Sequence, residues 1–270
     1  MGLPMKSTLL RLAKMVVELV VLCALTAPAI ADELMIRPAG DAATSVGVLR
    51  IDLTRFDISV AATSRILGLS SQAPTLESFA AIAAKSRSTQ TSFAALSGGF
   101  SNYDPMEPSG LLVENGRILS PLSSKSQVLS GVLCIGRRGT PRIMTTSEYL
   151  DREGDCQWAI QAGPLVVEPS KDAIVRSVRE KSLYRRVVAC EPRDPEFFEF
   201  YIFERADLRD VEDLLRARCR IAINLTGDAQ AGILLSDDRG IKSTFGSIRA
   251  PLASIIFVKS RDTRSPFQSR

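Results

Sequence analysis

Three short apolar runs end in glycine turns: Ala94 to Phe100 with Gly98-Gly99, Ala159 to Leu165 with Gly163-Pro164, and Ala222 to Asp228 with Gly227. Glycine at a strand end permits a tight turn and lets a ligand approach the main chain, so these three turns are expected to converge on one cleft. The chain has no histidine. Ser-His-Asp and Cys-His mechanisms and His-ligated metals are therefore excluded, and catalysis must run on carboxylates, Arg, Lys, Tyr or backbone donors. Asp104 and Glu107 lie on the loop after the first turn, and each precedes a proline that restricts the backbone aiming it. Asp before Pro is also ordinary turn chemistry. Gln161 and Asn224 place amides in the second and third runs, where they face either a ligand or the polar groups of a buried strand end.

These residues need elements to hold them. Val46 to Ala61 alternates apolar and polar side chains, as two strands or one long bent one. Leu76 to Lys85 has helical spacing, with Thr75 as N-cap, and leads into the first glycine run. Leu111 to Leu119 reads as a hairpin around Asn115-Gly116, a type I′ signal. Leu129 to Ile135 with Pro141 to Met144 forms a second hairpin around Arg137-Arg138-Gly139. Tyr184 to Ala189 and Phe197 to Phe203 are aromatic and β-branched, and pair as a third. Ala206 to Cys219 carries Leu208, Val211, Leu214 and Leu215 on one face, with acids early and arginines late, as a helix and its dipole favour. Ile221 to Leu225, Gly232 to Leu235 and Ile255 to Val258 complete the strands. The fold class expected is α+β, a large twisted mixed sheet with two principal helices packed on it.

Residues 1–31 read as a secretory signal: Lys6, Arg11 and Lys14, an apolar run from Met15 to Leu25, then Ala29-Ile30-Ala31 before Asp32. The run is too short for a stable membrane span. One domain over 32–260 and a disordered tail over 261–270 are expected, in the periplasm or secreted. The formal net charge is +4, and loss of the leader leaves +2. That balance does not suit a nucleic-acid partner, and the short basic runs read as solvated faces. Cys23 leaves with the leader. Cys134, Cys156, Cys190 and Cys219 then imply two disulfides, with three pairings open; Cys134 with Cys156 and Cys190 with Cys219 is preferred, because each pair brackets neighbouring strands. No CxxC spacing suggests zinc.

The order of elements resembles the phosphodiester glycosidase family. The resemblance is carried by the opening strand Val48 to Leu53, the Gly98-Gly99-Phe100 turn, Pro108-Ser109-Gly110-Leu111, Gln161 to Leu165, Arg186 to Ala189, and the helix followed by Ala222 to Leu225. It implies hydrolysis of a sugar-1-phosphodiester in envelope glycan or exopolysaccharide, the partner being a phosphorylated or phosphodiester-linked glycan. Arg186 would offer a guanidinium fork to phosphate. Gly98, Gly99 and Gly163 would add backbone donors, and Gln161 and Asn224 would bind sugar hydroxyls. A divalent cation such as calcium is compatible with oxygen ligands. The chain departs from the family at the last turn, where Thr226 stands in the place of an acid. Asp228, two residues on, is the substitute candidate beside Asp104 and Glu107.

Overall fold

β-branched and aromatic residues in alternation fill most of the chain, and short turns between them favour antiparallel neighbours. The structure, a computed structural model, describes residues 34–39, 46–64, 92–102, 107–152, 154–169, 183–237, 240–246, 248–250 and 252–261. The leader expected over 1–31, the helix expected over 76–85 and all but the first residue of the tail expected over 261–270 lie outside them.

The α+β class holds, but in place of one large mixed sheet the described strands form three sheets in which every described pair is antiparallel, as short turns between neighbouring strands favour. The first sheet has the order β1 (Ile36–Pro38), β2 (Val46–Asp52), β12 (Phe197–Ala206), β11 (Tyr184–Pro192), β13 (Cys219–Gly227), β10 (Leu165–Val167). The second runs β15 (Gly240–Gly246), β14 (Gly232–Asp237), β4 (Ser92–Ser97), β16 (Ser254–Ser260), β3 (Phe56–Ala62). The third runs β6 (Arg117–Ser120), β5 (Leu112–Glu114), β9 (Cys156–Ala162), β7 (Gly131–Gly136), β8 (Pro141–Thr145).

The Val46 to Ala61 stretch is two strands whose connecting turn hands the chain from the first sheet to the second. Asp52 holds that turn, its Oδ1 accepting from the Thr54 amide at 2.8 Å. The β5–β6 hairpin turns on Asn115 and Gly116, with φ of 53° and 74°, the pair of positive values that a type I′ turn requires. The expected second and third hairpins are β7–β8 and β11–β12.

One apolar core joins the inner faces of all three sheets, including Leu49 and Ile51 of β2, Leu133 and Ile135 of β7, Ile223 and Leu225 of β13, and Ile256 and Val258 of β16. A second cluster lies where the helix α2 (Leu208–Arg216) buries Leu208, Val211 and Leu215 among Val188, Phe203 and Ala222. Asp207 caps this helix, its side chain accepting from the Arg209 and Asp210 amides while Asp210 answers the Asp207 amide. A five-residue helix, α1 (Thr146–Leu150), was not visible as a pattern; its signal was the capping box formed by Thr145 and Glu148. Tyr149 anchors it in a third cluster on the outer face of β7 and β9.

Both preferred disulfides are present. Cys134–Cys156 ties β7 to β9 with Cα atoms 5.4 Å apart, and Cys190–Cys219 ties β11 to β13 at 5.7 Å. No helix among the described residues is long and apolar enough to cross a membrane.

Candidate active site

β4 delivers the first glycine turn, the β9–β10 connection the second, and the end of β13 the third. The three meet. Gly98 donates its amide to Ser254 O at 3.1 Å, and a Cβ there would lie 2.7 Å from that same carbonyl oxygen, so only glycine allows the approach to β16. Gly99 rests against the second run, where a Cβ would stand 3.0 Å from Gln161 O. The second and third runs are laced by three hydrogen bonds: Gly163 N to Asn224 O at 2.9 Å, Asn224 N to Pro164 O at 3.0 Å, and Asn224 Nδ2 to Gly163 O at 3.1 Å. The Gly163–Pro164 peptide is cis, and a side chain at Gly163 would run into Val128 O and stand 2.7 Å from Ser130 N.

The first and third runs are joined by serines. Ser97 Oγ donates to Gly232 O at 3.1 Å and accepts from Gly232 N at 3.0 Å, clamping β4 to the strand after the last turn. Beyond it, Gln230 Nε2 donates to Ser101 Oγ at 2.6 Å. Sequence reading passed over Ser101 and Gln230; polar residues beside a glycine turn were the only signal, and their 129-residue separation hid the pairing.

Gln161 is 2% exposed and its amide is fully used by the protein. Oε1 accepts from the Leu111 and Ser123 amides, and Nε2 donates to the Ser123 and Leu129 carbonyls. It supports the loop beneath the turn, with Gly110 leaving room for its Oε1.

Asn224 differs. Its Nδ2 is engaged, but Oδ1 is buried without a hydrogen-bond partner among the described residues, and so is Thr226 Oγ1 two residues on. The register of β11 against β13 slips between Val187 and Val188, opposite these two residues, a kind of irregularity that re-aims side chains at sites.

Arg186 is buried, donates Nε to Ala206 O at 3.0 Å and lies over the Tyr184 ring, 5.6 Å from its centroid. Burial pulls its guanidinium below the ordinary range while Asp207 and Tyr184 oppose that pull. A Cβ on Gly227 would lie 3.9 Å from Nη1, so the guanidinium stands beside the third turn.

Asp228 is exposed at the head of a short 3-10 turn with φ of 51°. Glu107 is exposed at the base of the loop after the first turn, its carbonyl accepting from the Asn102 amide at 2.9 Å. Asp104 lies outside the described residues. Among the described residues no group of three or more His, Cys, Asp or Glu is placed to hold a metal. Calcium takes roughly six to eight oxygens, carboxylates among them, and the two neutral oxygens of Asn224 and Thr226 do not make such a set.

No curated protein matches the chain. A hypothetical protein from Synechocystis shares the fold at a TM-score of 0.52 and 12% identity, over 87% of this chain and 67% of that one. A candidate exported protein from Burkholderia pseudomallei shares it at 0.55 and 9%, over 80% and 73%. The family model of the phosphodiester glycosidases matches residues 90–259. That stretch begins just before β4, ends within β16 and contains all three glycine turns with their serine and asparagine links, and the chain belongs to the phosphodiester glycosidase family.

Proposed function

We propose that the cleft between the three turns binds a sugar-1-phosphodiester of envelope glycan or exopolysaccharide and hydrolyses the bond from the anomeric carbon to the phosphate oxygen. The observation that carries this reading is the pair of buried, unpartnered oxygens, Asn224 Oδ1 and Thr226 Oγ1, where the turns meet. A buried acceptor left unpaired is costly and rare, and a sugar hydroxyl is a donor that would satisfy it. Arg186 beside Gly227 supplies positive potential toward the phosphate.

Water adds to the anomeric carbon as the carbon–oxygen bond breaks, giving a reducing sugar and a phosphate monoester. The monoester is a good leaving group, so the chief demand on the protein is a base for the water. Asp228, Glu107 and Asp104 are the candidates for that base.

A second reading, binding without turnover, is favoured by one observation: the Thr226 hydroxyl is buried with no hydrogen-bonded base, where the family carries an acid. The two readings separate in one assay. The mature chain is offered a panel of sugar-1-phosphodiesters and reducing sugar is measured, with Asn224→Ala, Asp228→Asn and Glu107→Gln alongside. Release that falls in Asn224→Ala and in one carboxylate variant supports the enzyme. Saturable binding without release, with release gained in Thr226→Asp, supports the second reading. A folded chain that neither binds nor cleaves overturns both.

A further inference from the structure

A pair of pockets lies at the other end of the strands from the three glycine turns. Ser254 of β16 meets Gly98 at the first glycine turn, whereas Lys259 and Arg261 stand five and seven residues on, about 17–23 Å away at about 3.3 Å per residue. β9 repeats the arrangement, with Gln161 toward the cleft and Trp158 toward the far end. There the β7–β8 turn, Arg137-Arg138-Gly139, is a wall shared by both pockets. One, of about 400 Å³, adds Arg142 and Arg152. The other, of about 620 Å³, adds Trp158, Lys259 and Arg261.

Six cations therefore line this saddle against two carboxylates, Asp57 and Asp155. The local excess is therefore four positive charges. Arg261 is paired with Asp57 at 2.8 Å. Arg137, Arg138, Arg142 and Arg152 are exposed and have no ion-pair partner among the described residues. Guanidinium groups present planar forks to carboxylates, and a half-buried indole between them offers an apolar face on which the C–H face of a pyranose packs.

We propose that this saddle binds an acidic polysaccharide: Trp158 stacks one sugar ring, and the arginines of the shared turn and of the adjoining pocket pair with the carboxylates of its neighbours. A nucleic acid would ask for several stacking aromatics along a basic track. The saddle has one indole. The inference does not depend on turnover at the cleft.

Trp158 is the sole tryptophan of the chain, so intrinsic fluorescence reports this pocket directly. The mature chain is titrated with oligogalacturonate, a neutral dextran oligosaccharide, inorganic phosphate and a single-stranded oligonucleotide of matched charge. The expected result is a saturable change with oligogalacturonate and none with dextran. Arg142→Ala and the double variant Arg137→Ala/Arg138→Ala should each weaken it about tenfold or more, as loss of a charge-assisted pair would. These side chains are exposed, and a thermal melt matching the native chain shows that the variants are folded. No response to oligogalacturonate, equal binding by the oligonucleotide or phosphate, or arginine variants that bind like the native chain would each overturn the proposal.

Discussion

Gly163 bonds Asn224, two residues before Thr226, and Gly163 and Thr226 respond to substitution in opposite ways. A side chain at Gly163 would run into Val128 O and crowd Ser130 N, both backbone atoms that cannot move without disturbing β7. Gly163→Ala should destabilise by about 3 kcal/mol, the upper range for overpacking, read as a shift in the denaturant midpoint. Thr226 is buried with its hydroxyl unpartnered. Thr226→Val keeps the shape and removes that cost, so stability should hold or rise by about 1 kcal/mol while binding of sugar phosphodiesters is lost. Thermal melts and a binding titration on the same sample check both halves. Tyr201 makes the residue-level prediction for pH. It is buried on β12, and its hydroxyl donates to Glu199 at 2.8 Å. Burial first, and then the Glu199 carboxylate, push its pKa from the ordinary 10.0 up to about 12. The unfolded chain therefore ionises first, and the contribution of Tyr201 is intact below pH 10.0 and lost as pH rises toward about 12. Tyr201→Phe should flatten the fall of the denaturation midpoint in that window.

The helix α2 and strands β11 and β13 form the element-level support of the third turn. Asp207 caps α2 and is also the acid that opposes the desolvation of Arg186. Asp207→Ala removes the cap, at a cost of about 1 kcal/mol, and leaves the buried guanidinium with less compensation. The expected outcome is a lower melting temperature, with a smaller change in Asp207→Asn, which can still cap. The helix was legible because its apolar face, early acids and late arginines all follow from local geometry. The slip in register between β11 and β13 was not. It depends on how two strands more than thirty residues apart pair, and nothing within either strand announces it.

Across the molecule, three sheets share one core and two disulfides each join paired strands within a sheet. The double variant Cys190→Ala/Cys219→Ala should lose about 2–4 kcal/mol of stability by freeing the unfolded chain, and so should Cys134→Ala/Cys156→Ala. Urea titrations of the two variants against the native chain check the pair. Local chemistry determined much of this protein from its sequence alone: the strands by alternation, the Asn115-Gly116 hairpin by its turn residues, and the glycine turns by the need for close approach; for the disulfides it gave a preference among three pairings, which the structure then decided. Tertiary structure alone decided which side chains those elements bring together. Alternation says which face of a strand is buried but not which strand lies beside it, so the passage of β2 and β3 into different sheets could not be read. The full use of the Gln161 amide, against the half-used one of Asn224, was likewise invisible, because their partners lie tens of residues away. Arg137, Arg142, Arg152 and Arg261 look like scattered solvated charge in the sequence. They share a surface only because three sheets fold around one core and carry the ends of distant strands to the same place.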